Sequence, residues 1–106
     1  PLDPKDICVL DCEMVECGGE QQVISIAILD INGQKLFNKN MRPPGNITNA
    51  HKEIHNMSQE HIEGLDSAYE FKRRIEDTLY DKTIVGFAIH NDLKVKYLFG
   101  FFSKFF

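Results

Sequence analysis

The apolar positions along this chain change period several times. From Ile7 to Val15, "ICVLDCEMV", they are near-continuous and broken only by acids at Asp11 and Glu13. Such a run predicts a central strand covered on both faces. "ECGGE" reads as a loop, and Gln22 to Ile31, "QVISIAILDI", as a second, β-branched strand. Asn32-Gly33 is the dipeptide of a type I′ hairpin turn. A third strand follows from Gln34 to about Arg42, ended by "PPG". The first three strands therefore form an antiparallel meander.

The period then becomes helical. Residues 45–64 read mostly as connection, with one short helix capped by Ser58 and stopped at Gly64. A longer helix starts after Asp66 or Ser67, where Ser67 and Glu70 have the spacing of a capping box. Ala68, Phe71, Ile75 and Leu79 make one apolar stripe on it. "KTIVGFAI", Lys82 to Ile89, is a fourth strand. A helix between the meander and this strand predicts a right-handed crossover that lays it parallel to the first. Asn91 is placed to cap a last helix beginning at Asp92. The final eight residues, "FGFFSKFF", hold five of the eight Phe and follow neither helical nor strand spacing. We expect an α/β domain over residues 1–98 and a divergent Phe-rich tail over 99–106, a candidate for self-association.

Composition narrows the class. With 42% hydrophobic and 26% charged residues, a chain of 106 residues suits one small globular domain. No apolar run reaches the length of roughly 18 residues of a membrane span, and the polar start "PLDPKD" carries neither a signal peptide nor an initiator Met. That start leads us to expect an excised piece of something longer. The three cysteines, Cys8, Cys12 and Cys17, are odd in number and lie in or beside the first strand, so reduced thiols and an intracellular protein are expected. His51 and His55 stand four apart, but no C-x-x-C pair accompanies them, and a zinc site is not expected. A net charge of −4 argues against a bulk polyanion binder, yet suits a site that gathers acid around a cation. The basic cluster Lys72–Arg74 reads as a solvated helix face before a phosphate contact.

The acids inside the first strand need a reason. Side chains alternate along a strand, so Asp11 and Glu13 share a face about 6–7 Å apart. Two like charges that close repel unless a cation lies between them, and hard oxygen ligands suit magnesium or manganese. The bland alternative puts both acids at a strand end, facing water or paired with lysines. Asp92, directly after the fourth strand, would fall near the carboxyl ends of the first and fourth strands, where open α/β sheets place their sites. Its bland alternative is a first-turn acid complementing the helix dipole.

These residues carry a resemblance. "DCEMV" resembles the first motif of the DEDD exonucleases, in particular their Rex-like RNA exonuclease group. "RPPGNIT" (Arg42–Thr48), "IHNMSQEHIEG" (Ile54–Gly64) and "VGFAIHNDLKV" (Val85–Val95) resemble later segments of that group, in order, over roughly residues 6–98. The resemblance implies an RNase H-like mixed sheet with flanking helices, C-terminally truncated here. It also implies 3′-to-5′ removal of nucleotides from RNA, or single-stranded DNA, by two magnesium or manganese ions. It assigns Asp11, Glu13 and Asp92 as metal-holding catalytic carboxylates, and Met14, Val15, His51 and Asn91 as neighbours of the terminal nucleotide. A nuclear or nucleolar protein is implied as well.

The departures shape the expectation. The family carries a third motif with a general-base histidine and a fourth carboxylate, but the fourteen residues after Asp92 contain no His, Asp or Glu. Phe87 replaces a usual His, and "ITNAH" lacks the aromatic that commonly follows. We therefore expect an exonuclease-family domain that alone is weakly active or inactive. The alternatives are a catalytically dead nuclease-like module binding RNA or a protein partner, or a plain α/β interaction domain whose acids are structural.

Overall fold

The computed structural model describes residues 3–86. A single 3₁₀ turn, Pro4–Asp6, leads into strand β1 (Ile7–Cys17), which is followed by β2 (Glu20–Asp30) and β3 (Lys35–Asn40). Helices α1 (Lys52–His55), α2 (Gln59–Glu63) and α3 (Ala68–Leu79) precede β4 (Thr83–Gly86). The sheet order is β3-β2-β1-β4. β1 runs antiparallel to β2 and parallel to β4, and β2 runs antiparallel to β3. This is the expected mixed sheet, an antiparallel meander plus one parallel strand, consistent with part of an RNase H-like fold.

β1 is the centre of the sheet because its sequence serves two cores. Cys8, Leu10, Cys12 and Met14 point to one face and pack with Ile26, Ile28 and Phe37 under the α3 stripe of Ala68, Phe71, Ile75 and Leu79. Val15 and Cys17 point the other way, into a smaller core with Ile24, Ile47 and Ile62, partly covered by Ala50 and Met57. Among the described residues, then, β1 is covered along one face and only toward its Cys17 end on the other, rather than on both faces throughout. Ile7 and Val9 are half-buried and Asp11 is exposed.

The two hairpins exchange the turn chemistry expected of them. Gly18 and Gly19 both adopt positive φ, 61° and 84°. They join Cys17 and Glu20, which pair directly. Two central residues at positive φ are what a type I′ turn requires, so "ECGGE" is a tight turn rather than a loop, and β1 runs two residues beyond Val15. At Asn32-Gly33 only Gly33 has positive φ, which excludes type I′. The Asp30 carboxylate explains the difference. It accepts hydrogen bonds from the Asn32 and Gln34 backbone N–H groups, both at 2.9 Å. Gly33 N–H closes onto the Asp30 carbonyl at 3.0 Å. The side chain stabilises a three-residue connection at the expense of the two-residue one.

The helices start where their caps predict. The Ser58 hydroxyl accepts from His61 N–H and the Ser67 hydroxyl from Tyr69 N–H. An additional short helix, α1, forms between His51 and Asn56, both in the left-handed region. No periodicity in four residues could announce it. α3 is tied to the end of the meander through backbone bonds from Arg42 N–H to the Asp66 carbonyl and from Ala68 N–H to the Arg42 carbonyl, each 2.8 Å. Of the basic cluster, Arg74 is not merely solvated. Its guanidinium lies 5.5 Å from the Phe37 ring centroid and 5.9 Å from that of Phe71, capping an edge-to-face aromatic pair. The strand expected over Lys82–Ile89 is described as far as Gly86. Asn91, Asp92 and the Phe-rich tail lie outside the described residues.

Two outcomes test this packing. Ile75 is fully buried at the centre of the α3 stripe. Ile75→Ala should therefore lower the free energy of unfolding by about 2–5 kcal/mol in urea titrations, whereas Tyr80→Ala, at an exposed position, should cost far less. Burial also raises the Cys8 and Cys17 thiols above the ordinary thiol range. For Cys8 the nearby Lys82 opposes burial and Asp30 reinforces it, while for Cys17 Glu20 and Glu16 both reinforce it. A folded value above the unfolded one gives stability that is complete below the unfolded value and lost as pH rises through the folded value. Iodoacetamide should accordingly label Cys8 and Cys17 much more slowly than a small free thiol at the same mildly alkaline pH, with urea abolishing the difference. Equal rates in native buffer would contradict the burial.

Candidate functional site

The site is built on the open face of β1. Asp11 stands directly across from Ala27 of β2, and Glu13 across from Ser25. Both positions are opposite in sense to Leu10, Cys12 and Met14, which enter the α3-side core. The two carboxylates consequently share a face in the middle of the central strand, not at its end. Asp11 is exposed and Glu13 half-buried. Small neighbours at Ala27 and Ser25 leave room above them. Among the described residues neither carboxylate has a hydrogen-bond or ion-pair partner, so the lysine pairing that would make them structural is not formed.

A bulge immediately follows. Glu13 pairs with Ser25, but Met14 pairs with Val23, leaving Ile24 as an extra residue on β2. The inserted residue lets Ile24 enter the second core while Val23 and Ile26 both stay in the first. Its effect on the site is to end the open part of the face at Glu13 and begin a covered part at Val15. Bulges commonly re-aim a strand in this way beside functional positions.

The covered part is clamped to β1 by residues 45–51. Glu16 N–H donates to the Asn49 carbonyl at 2.9 Å, and the Glu16 carbonyl accepts from Thr48 N–H at 2.9 Å. The Thr48 hydroxyl accepts from Gly18 N–H at 3.0 Å. Gly45 N–H donates to Gln22 Oε1 at 2.7 Å. A Cβ on Gly45 would come 2.9 Å from that same oxygen, so a glycine is what permits the approach.

The clamp decides where His51 falls. Its backbone is held in the left-handed region, with its N–H donating to Asn49 Oδ1 at 3.0 Å. The ring lies between two carboxylates, with Nε2 3.9 Å from Glu16 and Nδ1 3.5 Å from Glu53. His51 thus reaches β1 at Glu16, beyond the Asp11 and Glu13 pair. The Glu53 carboxyl sits below the ordinary carboxylate range, first because its own backbone N–H donates to it and then because of His51 and His55. His55 is occupied at both ring nitrogens. Nε2–H donates to the Ala50 carbonyl, and Nδ1 accepts from Met57 N–H, which specifies its tautomer. The Glu16 contact was hidden in the sequence because it depends on a loop returning to the strand.

Met14 and Val15, expected beside a terminal nucleotide, are both buried: Met14 in the α3-side core and Val15, fully, in the second. Asp92 and Asn91 lie outside the described residues. Among the described residues no group of three His, Cys, Asp or Glu side chains comes together as a metal cluster. Asp11 and Glu13 stand there as a pair. As a donor set they are two carboxylates without sulfur or imidazole, which fits a hard divalent cation such as magnesium or manganese and not a soft one.

Comparison with known proteins bears on what such a pair is for. No family model matches the chain. RNA exonuclease 4 of Xenopus tropicalis is 28% identical over 92 residues, which is 84% of this chain and 22% of that protein. RNA exonuclease 4 of Cryptococcus neoformans is 28% identical over 96 residues, covering 88% of this chain and 24% of that one. The human interferon-stimulated 20 kDa exonuclease-like 2 protein is 31% identical over 94 residues, 86% of this chain and 27% of its own length. This chain spans about a quarter of the length of the curated relatives it matches. Similarity to such relatives over most of its residues supports a DEDD-type exonuclease family for the chain.

Proposed function

We propose that this chain carries the first half of a metal-dependent site for removing nucleotides from RNA 3′ ends. One observation carries the proposal: two unpartnered carboxylates, Asp11 and Glu13, share the open face of the central strand. The RNA exonuclease names of two of the relatives supply the substrate class. In the reaction, water adds to the phosphorus of the terminal phosphodiester and the bond to the 3′ oxygen breaks. The last nucleotide departs with its 5′ phosphate, and the shortened strand takes a proton on its new 3′ hydroxyl. Asp11 and Glu13 would hold magnesium or manganese, with Asp92 as the further ligand. Bound there, the cation supplies Lewis-acid stabilisation of the phosphoryl group and acidifies water. The chain's own contribution is rigid placement, because both acids ride on a strand paired to β2 along its length.

A second reading is a nuclease-like module that binds RNA without cutting it. The observation in its favour is that, among the described residues, His51 is turned toward Glu16 and Glu53 and both ring nitrogens of His55 are occupied, so neither stands free as a base beside Asp11 and Glu13. General-base assistance is worth roughly 10²–10⁴-fold. The 106-residue chain by itself should therefore shorten a 5′-labelled RNA slowly or not at all in magnesium. Robust laddering that vanishes in Asp11→Asn would instead show that a residue already present serves as base.

Metal binding is separable from turnover. Without metal, Asp11→Asn should leave stability unchanged or raise it by about 1 kcal/mol, since it removes one of two neighbouring like charges. Millimolar manganese should raise the melting temperature of the parent chain but not of Asp11→Asn, because a ligand that binds only the folded state stabilises it by mass action. Thermal melts of both proteins in EDTA and in manganese read this directly. A parent chain insensitive to manganese, together with a strongly destabilised variant, would mark Asp11 as a structural acid.

A further inference from the structure

The open face of the sheet is divided in a way that exposure to solvent alone does not produce. On β2, Ala27 and Ser25 lie across from Asp11 and Glu13. One strand further, Asn38 lies across from Ala27 and Asn40 across from Ser25. Directly paired residues in a sheet share a face, so two rows run from the carboxylates to the β3 edge: Asp11–Ala27–Asn38 and Glu13–Ser25–Asn40. The next level of the same face is apolar on β4, β1 and β2, where Val9 lies across from both Val85 and Leu29, and carries Lys35 across from Leu29 at the β3 edge. The uncharged polar side chains paired in line with the acids are thus Ser25, Asn38 and Asn40.

The asparagines are the unusual members of these rows. Asn is depleted in strands, yet two occur at alternating positions of a six-residue strand and point to the same side. Lys39 between them pairs with Ile26, whose side chain enters the α3-side core, and so faces away from the carboxylates. Both asparagines are exposed. Among the described residues neither side-chain amide is held by a hydrogen bond. An amide offers two donors and an acceptor. The two sit about two strand spacings, roughly 9.5 Å, from the carboxylates, and only small side chains intervene.

We infer that Asn38 and Asn40 form a sugar-recognising subsite for a single RNA strand whose 3′ end lies at Asp11 and Glu13. The strand would cross β2 over Ala27 and Ser25, and the amides would hydrogen-bond ribose 2′-hydroxyls of nucleotides upstream of the end. A 2′-hydroxyl is both donor and acceptor, as is the amide, and it is the group by which a protein separates RNA from DNA. This inference rests on the proposed function, since the carboxylates define where the strand ends.

Anisotropy of a 5′-labelled single-stranded oligoribonucleotide, with the oligodeoxyribonucleotide of the same base order alongside, tests it on the 106-residue chain. Calcium replaces magnesium to hold the carboxylates without supporting turnover. The parent chain should bind the RNA more tightly than the DNA. Asn38→Ala with Asn40→Ala should weaken RNA binding roughly ten-fold, the scale of two neutral hydrogen bonds, and bring it close to DNA binding. Lys39→Ala, on the same strand but the other face, should leave the RNA-to-DNA ratio unchanged. Manganese melts of the double variant, with the parent's response, show that its fold and carboxylates are intact. An unchanged RNA-to-DNA ratio in the double variant overturns the subsite, as does a parent chain that binds neither strand. In that second case a retained manganese response leaves the metal reading standing, and its loss removes both.

Discussion

Everything in this molecule depends on the pairing of β1 with β2. That ladder runs from Cys8 opposite Asp30 to Cys17 opposite Glu20, with one interruption after Glu13. Because side chains alternate, the register decides every residue's face at once, and a slip of one residue would send Asp11 and Glu13 into the α3-side core. The slip is opposed by Leu10, Ile26 and Ile28, all fully or almost fully buried, and each worth about 1.5–3 kcal/mol of burial. Hydrophobic packing on one face therefore holds the carboxylates in place on the other. Their placement needs no favourable interaction of their own.

The same logic explains how a strand can serve two cores and a polar site. On the α3 side the alternation is unbroken from Cys8 to Met14. On the opposite side, the first half presents acids and the second half presents Val15 and Cys17 to the clamp formed by residues 45–51. The bulge at Ile24 marks the border. The family resemblance of "RPPGNIT" gains a structural meaning from this arrangement. Arg42 ties the meander to the start of α3, Gly45 approaches Gln22, and Thr48 secures both Glu16 and the Gly18 turn. These residues set the end of the open face rather than reach into it.

Charge is distributed accordingly. A chain with a net charge of −4 is a poor general binder of nucleic acid, because affinity for a phosphate backbone comes mostly from neutralising lysines and arginines. One of its basic residues, Arg74, lies over Phe37 and Phe71 on the side of the sheet away from the acids. In the proposed site, recognition would rest on a cation held by Asp11 and Glu13 and on neutral hydrogen-bonding groups at Asn38 and Asn40, with Lys35 one level away at the β3 edge. Binding of that kind favours a defined end and a defined sugar over long-range attraction.

What the amino-acid sequence determined by itself is local. Alternation and β-branching set the meander. Ser58 and Ser67 set two helix starts, and the stripe from Ala68 to Leu79 set the face that α3 buries. The spacing of Asp11 and Glu13 placed both acids on one side of their strand, since a period of two is a property of the strand and not of its neighbours. Only the tertiary structure decided which side that was and what else shares it. Asp30, by capturing two backbone N–H groups, overrode the turn that Asn32-Gly33 favours. The return of residues 45–51 to β1 carried His51 to Glu16, and cross-strand register aligned Asn38 and Asn40 with the acids. Those outcomes depend on contacts between residues far apart in the chain, whose free energies are settled by packing and pairing after the local elements exist, and no short window of sequence contains them.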